Sequence, residues 1–185
     1  MRKVVLYMRM TLDGFVCGPN GELDWMFRAP TGPDQEGKLL EFQRGVGTSL
    51  LGREAYVQQA AYWPRQTGEM ADLVNGRPKV VFSHTLETVE WSNARLATDP
   101  AEEIARLKRE PGDSPIYVTG GATLAQSLSR AGLIDEYRVV IYPLALGAGK
   151  PLFKDLAGEI ALKLVGVTPY ESGAVELVYE RADRA

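Results

Sequence analysis

The sequence predicts an α/β protein built on a mainly parallel sheet with an antiparallel C-terminal edge. Three observations carry this. Short apolar runs rich in β-branched residues alternate with helical patterns along most of the chain. Several of those runs end in glycine or in hydrogen-bonding side chains just before a helix. The last two runs follow each other with only Ser172-Gly173 between them, which calls for an antiparallel hairpin.

In chain order, Lys3 to Met8 reads as a buried strand. Thr11 to Glu22 reads as a loop, because Asp13-Gly14 and Gly18-Pro19-Asn20-Gly21 are turn signals. Asp34 to Gly45 sets Leu39, Leu40 and Phe42 among polar residues and predicts a helix. Thr48 to Leu51 is a second strand, ending at Gly52. Arg53 to Trp63 is helical and Pro64 stops it; Met70 to Val74 gives a further short helix. Lys79 to Ser83 is a strand, and Val89 to Ala97 holds another. Asp99 is a candidate N-cap with Pro100 at the first helical position, and acidic residues precede basic ones in AEEIARLKRE. Pro115 to Thr119 is a strand, Ala122 to Ala131 a helix terminated by Gly132, and Ile134 to Pro143 a strand. Ala161 to Pro169 and Ala174 to Arg181 form the closing pair.

Composition narrows the function classes. The 185 residues fit one domain, with no linker, repeat or low-complexity segment. A net charge of −3 gives no reason to expect nucleic acid or an anionic membrane as partner. One cysteine, Cys17, allows no intrachain disulfide and fits a reducing compartment; with one histidine, His84, a Cys/His zinc site is nearly excluded. The opening MRKVVLYMRM has too short an apolar run for a signal peptide, and no stretch reaches the length of a membrane span. The expectation is a cytoplasmic protein.

The segment IYVTGGATL (116–124) runs a buried strand into two glycines and then a helix. Glycine lets backbone approach a ligand closely, and the first amides of a helix are unpaired and electropositive, so the segment suits a pyrophosphate. A tight strand-to-helix turn without a ligand is the competing reading. The pattern is neither GxGxxG nor a P-loop, since Pro151 follows Gly149-Lys150 where Ser or Thr is required. At Leu50-Leu51-Gly52-Arg53-Glu54 a cation opens a helix, an unfavourable place that an anionic ligand would relieve. Taken alone, Arg53 is equally a solvated surface residue. Ser83 and His84 end another strand and could meet phosphate, or serve no role. All three segments fall at C-terminal strand ends, where α/β sheets gather ligands. Among carboxylates, Asp34, Glu36 and Glu41 cluster on the first long helix, where a wet face is the usual explanation. GxSxG is absent.

These segments resemble the dihydrofolate reductase superfamily, and more closely the branch containing the C-terminal reductase domain of the bifunctional riboflavin-biosynthesis deaminase-reductase. The matching stretches are Thr11 to Val16, Leu51 to Tyr56, Val81 to Ser83, and above all TGGATLAQSLSRAGLIDEYRVVIYPLALGAGKPLF (119–153). The resemblance covers nearly the whole chain in order. It implies a dihydrofolate-reductase-like three-layer sandwich and an NADPH-dependent reductase of a small pterin- or aminopyrimidine-like heterocycle. Gly120, Gly121, Ala122 and Thr123 would line the pyrophosphate. Gly52 and Arg53 would sit at the cofactor, Arg53 near the adenosine 2′-phosphate, and Ser83 and His84 would add phosphate contacts. Val16 would open a mobile loop, reaching to Trp25, that covers the nicotinamide. Asp13, Asp34 and Glu36 are the candidate catalytic carboxylates. Two alternatives stand beside this: a stand-alone ribosylaminopyrimidine reductase, with Arg9, Arg28 and Lys150 as candidate phosphate-binding cations, and a nucleotide-binding protein without turnover. The zinc deaminase motifs HxE and PCxxC are absent. Members of this branch commonly pair through sheet edges, so a homodimer is expected.

Overall fold

The computed structural model describes residues 1–182. The chain runs β1 (Val4–Thr11), β2 (Phe15–Cys17), α1 (Asp24–Arg28), α2 (Pro33–Gly45), β3 (Thr48–Gly52), α3 (Arg53–Tyr62), a single 3-10 turn at Trp63–Arg65, α4 (Glu69–Gly76), β4 (Lys79–Phe82) and β5 (Ala94–Ala97). It continues through α5 (Pro100–Arg109), β6 (Ile116–Val118), α6 (Ala122–Arg130), β7 (Glu136–Tyr142), β8 (Lys150–Pro151), β9 (Leu162–Pro169) and β10 (Val175–Arg181).

Eight strands form one sheet in the order β5-β4-β3-β6-β1-β7-β10-β9. From β5 to β7 every pairing is parallel; β10 runs antiparallel to both β7 and β9. This is the mainly parallel sheet with an antiparallel edge that the alternation of elements predicts. Asp99 caps α5 as expected, its Oδ1 accepting from the amides of Ala101 and Glu102.

Strand alternation divides the side chains between two helix layers. Val4, Leu6 and Met8 of β1 join Ile116, Val118, Ile104, Leu124 and Leu128 under α5 and α6. Tyr7, Tyr117, Val140 and Tyr142 face the other way, packed under Trp25 of α1 and Leu39 and Phe42 of α2. Leu51 and Val81 extend that second face under Tyr56 and Trp91. The result is three layers, helix on sheet on helix, with the sheet centre buried on both sides. At about 1.5–3 kcal/mol per buried aliphatic side chain, these two interfaces supply most of the driving force for folding.

Three features depart from the sequence-based expectation. The segment 11–22 is not loop throughout: Phe15–Cys17 forms β2 and pairs antiparallel with Lys150–Pro151. Strands of three and two residues are too short to show a period, and this pairing joins residues far apart in sequence. The five-residue helix α1 also lies beyond what periodicity can reveal. The apolar stretch from Val89 contributes a strand only at Ala94–Ala97. No helix among the described residues is long and apolar enough to cross a membrane.

Candidate active site

The C-terminal ends of β3 and β6, neighbours in the sheet, bring two helix starts together. Gly52 is the N-cap of α3 and Gly121 that of α6, and neither cap residue offers a side chain to the free amides behind it. Gly120 and Gly121 have φ of 108° and 89°, a region that side chains with a Cβ rarely enter. A Cβ on Gly121 would sit 3.6 Å from the Ala55 Cβ and 3.9 Å from the Gly52 nitrogen, and one on Gly52 would sit 3.4 Å from the Leu124 Cβ. The starts of α3 and α6 thus lie side by side, and the positive φ at Gly120 and Gly121 is what calls for glycine there. The Thr119 amide donates to the Leu50 carbonyl at 3.1 Å, and Gln59 Nε2 donates to the Thr119 carbonyl at 2.8 Å, which fixes the crossing. The outcome is a cradle of unpaired amides with positive potential, suited to a pyrophosphate.

Around this cradle, Arg53 and Thr123 are exposed and Ala122 half-buried. At the end of β4, Ser83 is half-buried and its Oγ accepts from the amides of Thr85 and Leu86 at 3.1 and 3.0 Å, so its oxygen already shapes the following turn. His84 is exposed. Val16 is 3% exposed and packs in the core beneath α6.

The three candidate carboxylates part company. Asp13 accepts from Thr11 Oγ1 at 2.5 Å and from the amides of Gly147 and Leu146 at 2.7 and 3.2 Å. The Thr11 hydroxyl, then the Gly147 amide, holds its carboxyl below the usual carboxylate range. These bonds clamp the β1–β2 turn to the loop after β7. Asp34 accepts from the Glu171 amide at 2.9 Å, tying the start of α2 to the β9–β10 hairpin. Glu36, alone of the three, lines a cavity of about 280 Å³ between the sheet and the α1–α2 layer.

That cavity is walled by Arg9 from β1, Met26 and Phe27 from α1, and Gln35, Glu36 and Leu39 from α2. Gln35 is buried, donating through Nε2 to the Tyr142 hydroxyl, with Ser172 Oγ 3.5 Å from its Oε1. Behind it, Tyr170 donates to the buried Glu176 carboxylate at 2.5 Å, and Arg138 lies 3.7 Å from the other oxygen of that group. Nothing in the sequence distinguishes Gln35 from a solvated helix residue; its partner is Tyr142, on β7. Arg28 and Lys150 lie elsewhere. Arg28 lines a second recess with Gly18, Glu22 and Trp25, and Lys150 approaches Gly21. In that region Trp25 is buried with its indole N–H unpartnered.

A mainly parallel sheet with an antiparallel edge, helices on both faces and glycines at adjoining strand ends is a dihydrofolate-reductase-like architecture. The chain belongs to the RibD C-terminal domain family, matched over residues 2–175. The Bacillus subtilis (strain 168) protein YyaP is 35% identical over 183 residues, covering 96% of this chain and 94% of YyaP. Among solved structures, a candidate riboflavin biosynthesis protein of Shewanella sp. PV-4 superimposes with a TM-score of 0.80 at 22% identity, covering 97% of this chain and 99% of that one. A Thermotoga maritima diaminohydroxyphosphoribosylaminopyrimidine deaminase/5-amino-6-(5-phosphoribosylamino)uracil reductase gives 0.69 at 15% identity, covering 98% of this chain and 57% of the longer protein. Enterococcus faecalis dihydrofolate reductase complexed with NADP(H) and RAB-propyl gives 0.65 at 15% identity, covering 98% and 97%. These three share the fold.

Proposed function

We propose that this protein is an NADPH-dependent reductase that delivers hydride to a C=N or C=O carbon of a small heterocycle, pterin- or aminopyrimidine-like. The observation that carries this is the meeting of the uncapped starts of α3 and α6 at Gly52 and Gly120–Gly121. Family membership supports it, as do the NADP(H) complex of the Enterococcus enzyme and the reductase named for the Thermotoga protein. When bound, NADPH supplies the hydride from its nicotinamide.

The chain's own contribution is binding, orientation and protonation. The amides at Gly120, Gly121, Ala122 and Thr123 receive the pyrophosphate, and Gly52 leaves room for it. Arg53 reads the adenosine 2′-phosphate, with Ser83 and His84 as further phosphate contacts and the Val16 backbone at the covering loop. Glu36 is the carboxylate placed to accept an N–H of the heterocycle or relay a proton to it. Purified protein should oxidise NADPH, followed by loss of its absorbance, with at least one of dihydrofolate, a dihydropterin and 5-amino-6-(5-phosphoribosylamino)uracil. Tight NADPH binding with no turnover on that panel would instead favour a nucleotide-binding protein without catalysis.

The stand-alone ribosylaminopyrimidine reductase is the narrower reading, favoured by the Thermotoga likeness; rescue of riboflavin-free growth in a reductase-deficient strain decides it. A homodimer through β9 belongs to the same proposal. This edge strand leaves Leu164, Val165 and Val167 about half exposed, an apolar edge of the kind usually covered. Light scattering should give twice the 20.3 kDa chain mass; a mass of one chain that holds on concentrating rules the dimer out.

A further inference from the structure

The double glycine of the cradle has more freedom than a fixed site needs. Turning over the peptide plane between Thr119 and Gly120 changes only ψ of Thr119 and φ of Gly120, and glycine accepts φ of either sign. In a trans peptide the N–H and the C=O point in opposite directions. A flip of this plane therefore exchanges a donor for an acceptor on the ligand side and turns attraction for an anion into repulsion. Two nearby planes are held by backbone. The Thr119 amide donates to the Leu50 carbonyl at 3.1 Å, and the Ala125 amide donates to the Gly121 carbonyl at 3.0 Å as α6 begins. The plane between Thr119 and Gly120 is held by a side chain instead. Gln59, half-buried in the second half of α3, donates through Nε2 to the Thr119 carbonyl at 2.8 Å. The Gly120 N–H points the other way and donates to no other described residue.

We infer that Gln59 is a positioning residue for the cofactor: it latches the Thr119–Gly120 peptide so that the Gly120 N–H stays presented to the pyrophosphate. This rests on the reading of the cradle as the pyrophosphate site. The latch orients a donor before the ligand arrives, and such preorganisation raises affinity by removing an ordering cost from the binding step. Without it, the freedom of Gly120 lets the Thr119 carbonyl turn towards the anion. The latch also ties the two helices of the cradle together, since Gln59 belongs to α3 and the peptide it holds leads into α6.

Two variants of the whole protein test this. Gln59→Met keeps the length of the side chain and removes the donor; Gln59→Asn keeps the amide and falls one carbon short of the carbonyl. Thermal melts establish that each variant folds. In calorimetric titration both should bind NADPH roughly 3- to 20-fold more weakly than wild type. Amide NMR with inorganic pyrophosphate then separates a latch from a merely structural contact. In wild type the amide protons of Gly120 and Thr123 should both move downfield as they gain an acceptor. In the variants the Gly120 movement should fall to about half or less, because its plane samples both orientations, while that of Thr123, oriented by α6, is kept. Unchanged NADPH affinity in both variants overturns the latch and leaves the cradle. So does a Gly120 amide that moves as far in the variants as in wild type, or one that stays put in wild type while NADPH binds, or a parallel loss at Gly120 and Thr123. A wild type that binds neither NADPH nor pyrophosphate removes the cradle reading, and the latch with it.

Discussion

The cradle and the cavity lie at the same end of the sheet and are made of different material. The cradle is backbone: free amides of α3 and α6 behind Gly52 and Gly121, with Gly120 and Gly121 at the positive φ that glycine readily adopts. The cavity is side chain: Arg9 from β1, Phe27 from α1, Gln35 and Glu36 from α2, held from behind by Tyr142. A backbone site recognises what many ligands share, such as a pyrophosphate. A side-chain site discriminates, because each wall can be changed without altering the path of the chain. The two should therefore fail separately, and differently, under substitution.

The sharpest separation is expected at Gly121. With φ at 89°, a side chain there costs about 1–2 kcal/mol in backbone strain, and its branches intrude between the starts of α3 and α6. Gly121→Val should weaken NADPH binding by roughly 100-fold, about 2.7 kcal/mol, while heterocycle binding in the cavity stays within about threefold. Parallel losses in a two-ligand titration would show that cradle and cavity are one unit.

Next is Arg53, a side-chain element at the edge of the cradle. Arg53→Ala should weaken NADPH by about 1–3 kcal/mol and spare NADH, since a charge-assisted bond to the 2′-phosphate is available to only one of them. Equal losses for both cofactors would remove Arg53 from 2′-phosphate recognition.

The same division explains what the sequence reveals. Gly52 and Gly120–Gly121 follow apolar runs and precede helices, a local pattern that places them at strand ends before any topology is known. The parallel character of the sheet and the closing hairpin are equally local in origin, read from the alternation of elements and from Ser172-Gly173. The cavity is another matter. Arg9 is one charge in a strand, Gln35 a polar residue on a helix, and Glu36 one of several carboxylates nearby. Their convergence is a property of sheet order, which seats β1 between β6 and β7 and so puts Tyr142 beneath Gln35. Asp13 shows the reverse limit. Its turn with Gly14 is legible, but its bonds to the amides of Leu146 and Gly147 come from far along the chain.

A smaller effect tests the cavity's support. Tyr142→Phe removes the acceptor for the buried Gln35 amide and should cost about 1–2 kcal/mol of stability in urea unfolding. Heterocycle binding should weaken with it, because Gln35 loses its fixed orientation, while NADPH affinity holds. An unchanged urea midpoint would mean that the Gln35 amide finds another partner at no cost.

The last and smallest effect is a difference in alkaline response. Beneath the cavity, burial, then the Glu176 carboxylate, pushes the Tyr7 hydroxyl above its ordinary range, and burial, then the hydrogen bond to Glu176, does the same to Tyr170. A phenol whose folded pKa exceeds its unfolded value of about 10 keeps its proton longer in the native state. Its contribution to stability is fully present below that unfolded value and is lost as pH rises towards the folded one. The cradle residues Gly52, Gly120, Gly121, Ala122 and Thr123 have no side chain that titrates there. Lys79 acts in the opposite sense: burial, then the neighbouring Arg77, brings its ammonium down to about 8, so its contribution rises with pH through the same window. The informative quantity is thus the difference between wild type and Tyr7→Phe. The variant should lose less stability than wild type between about pH 9 and pH 11, by about 1 kcal/mol, in paired urea titrations. NADPH affinity should follow the same pH course in both proteins. Identical stability slopes would show that Tyr7 ionises in the native state as freely as in the unfolded chain, and the cavity side would then be no more sensitive to alkali than the cradle.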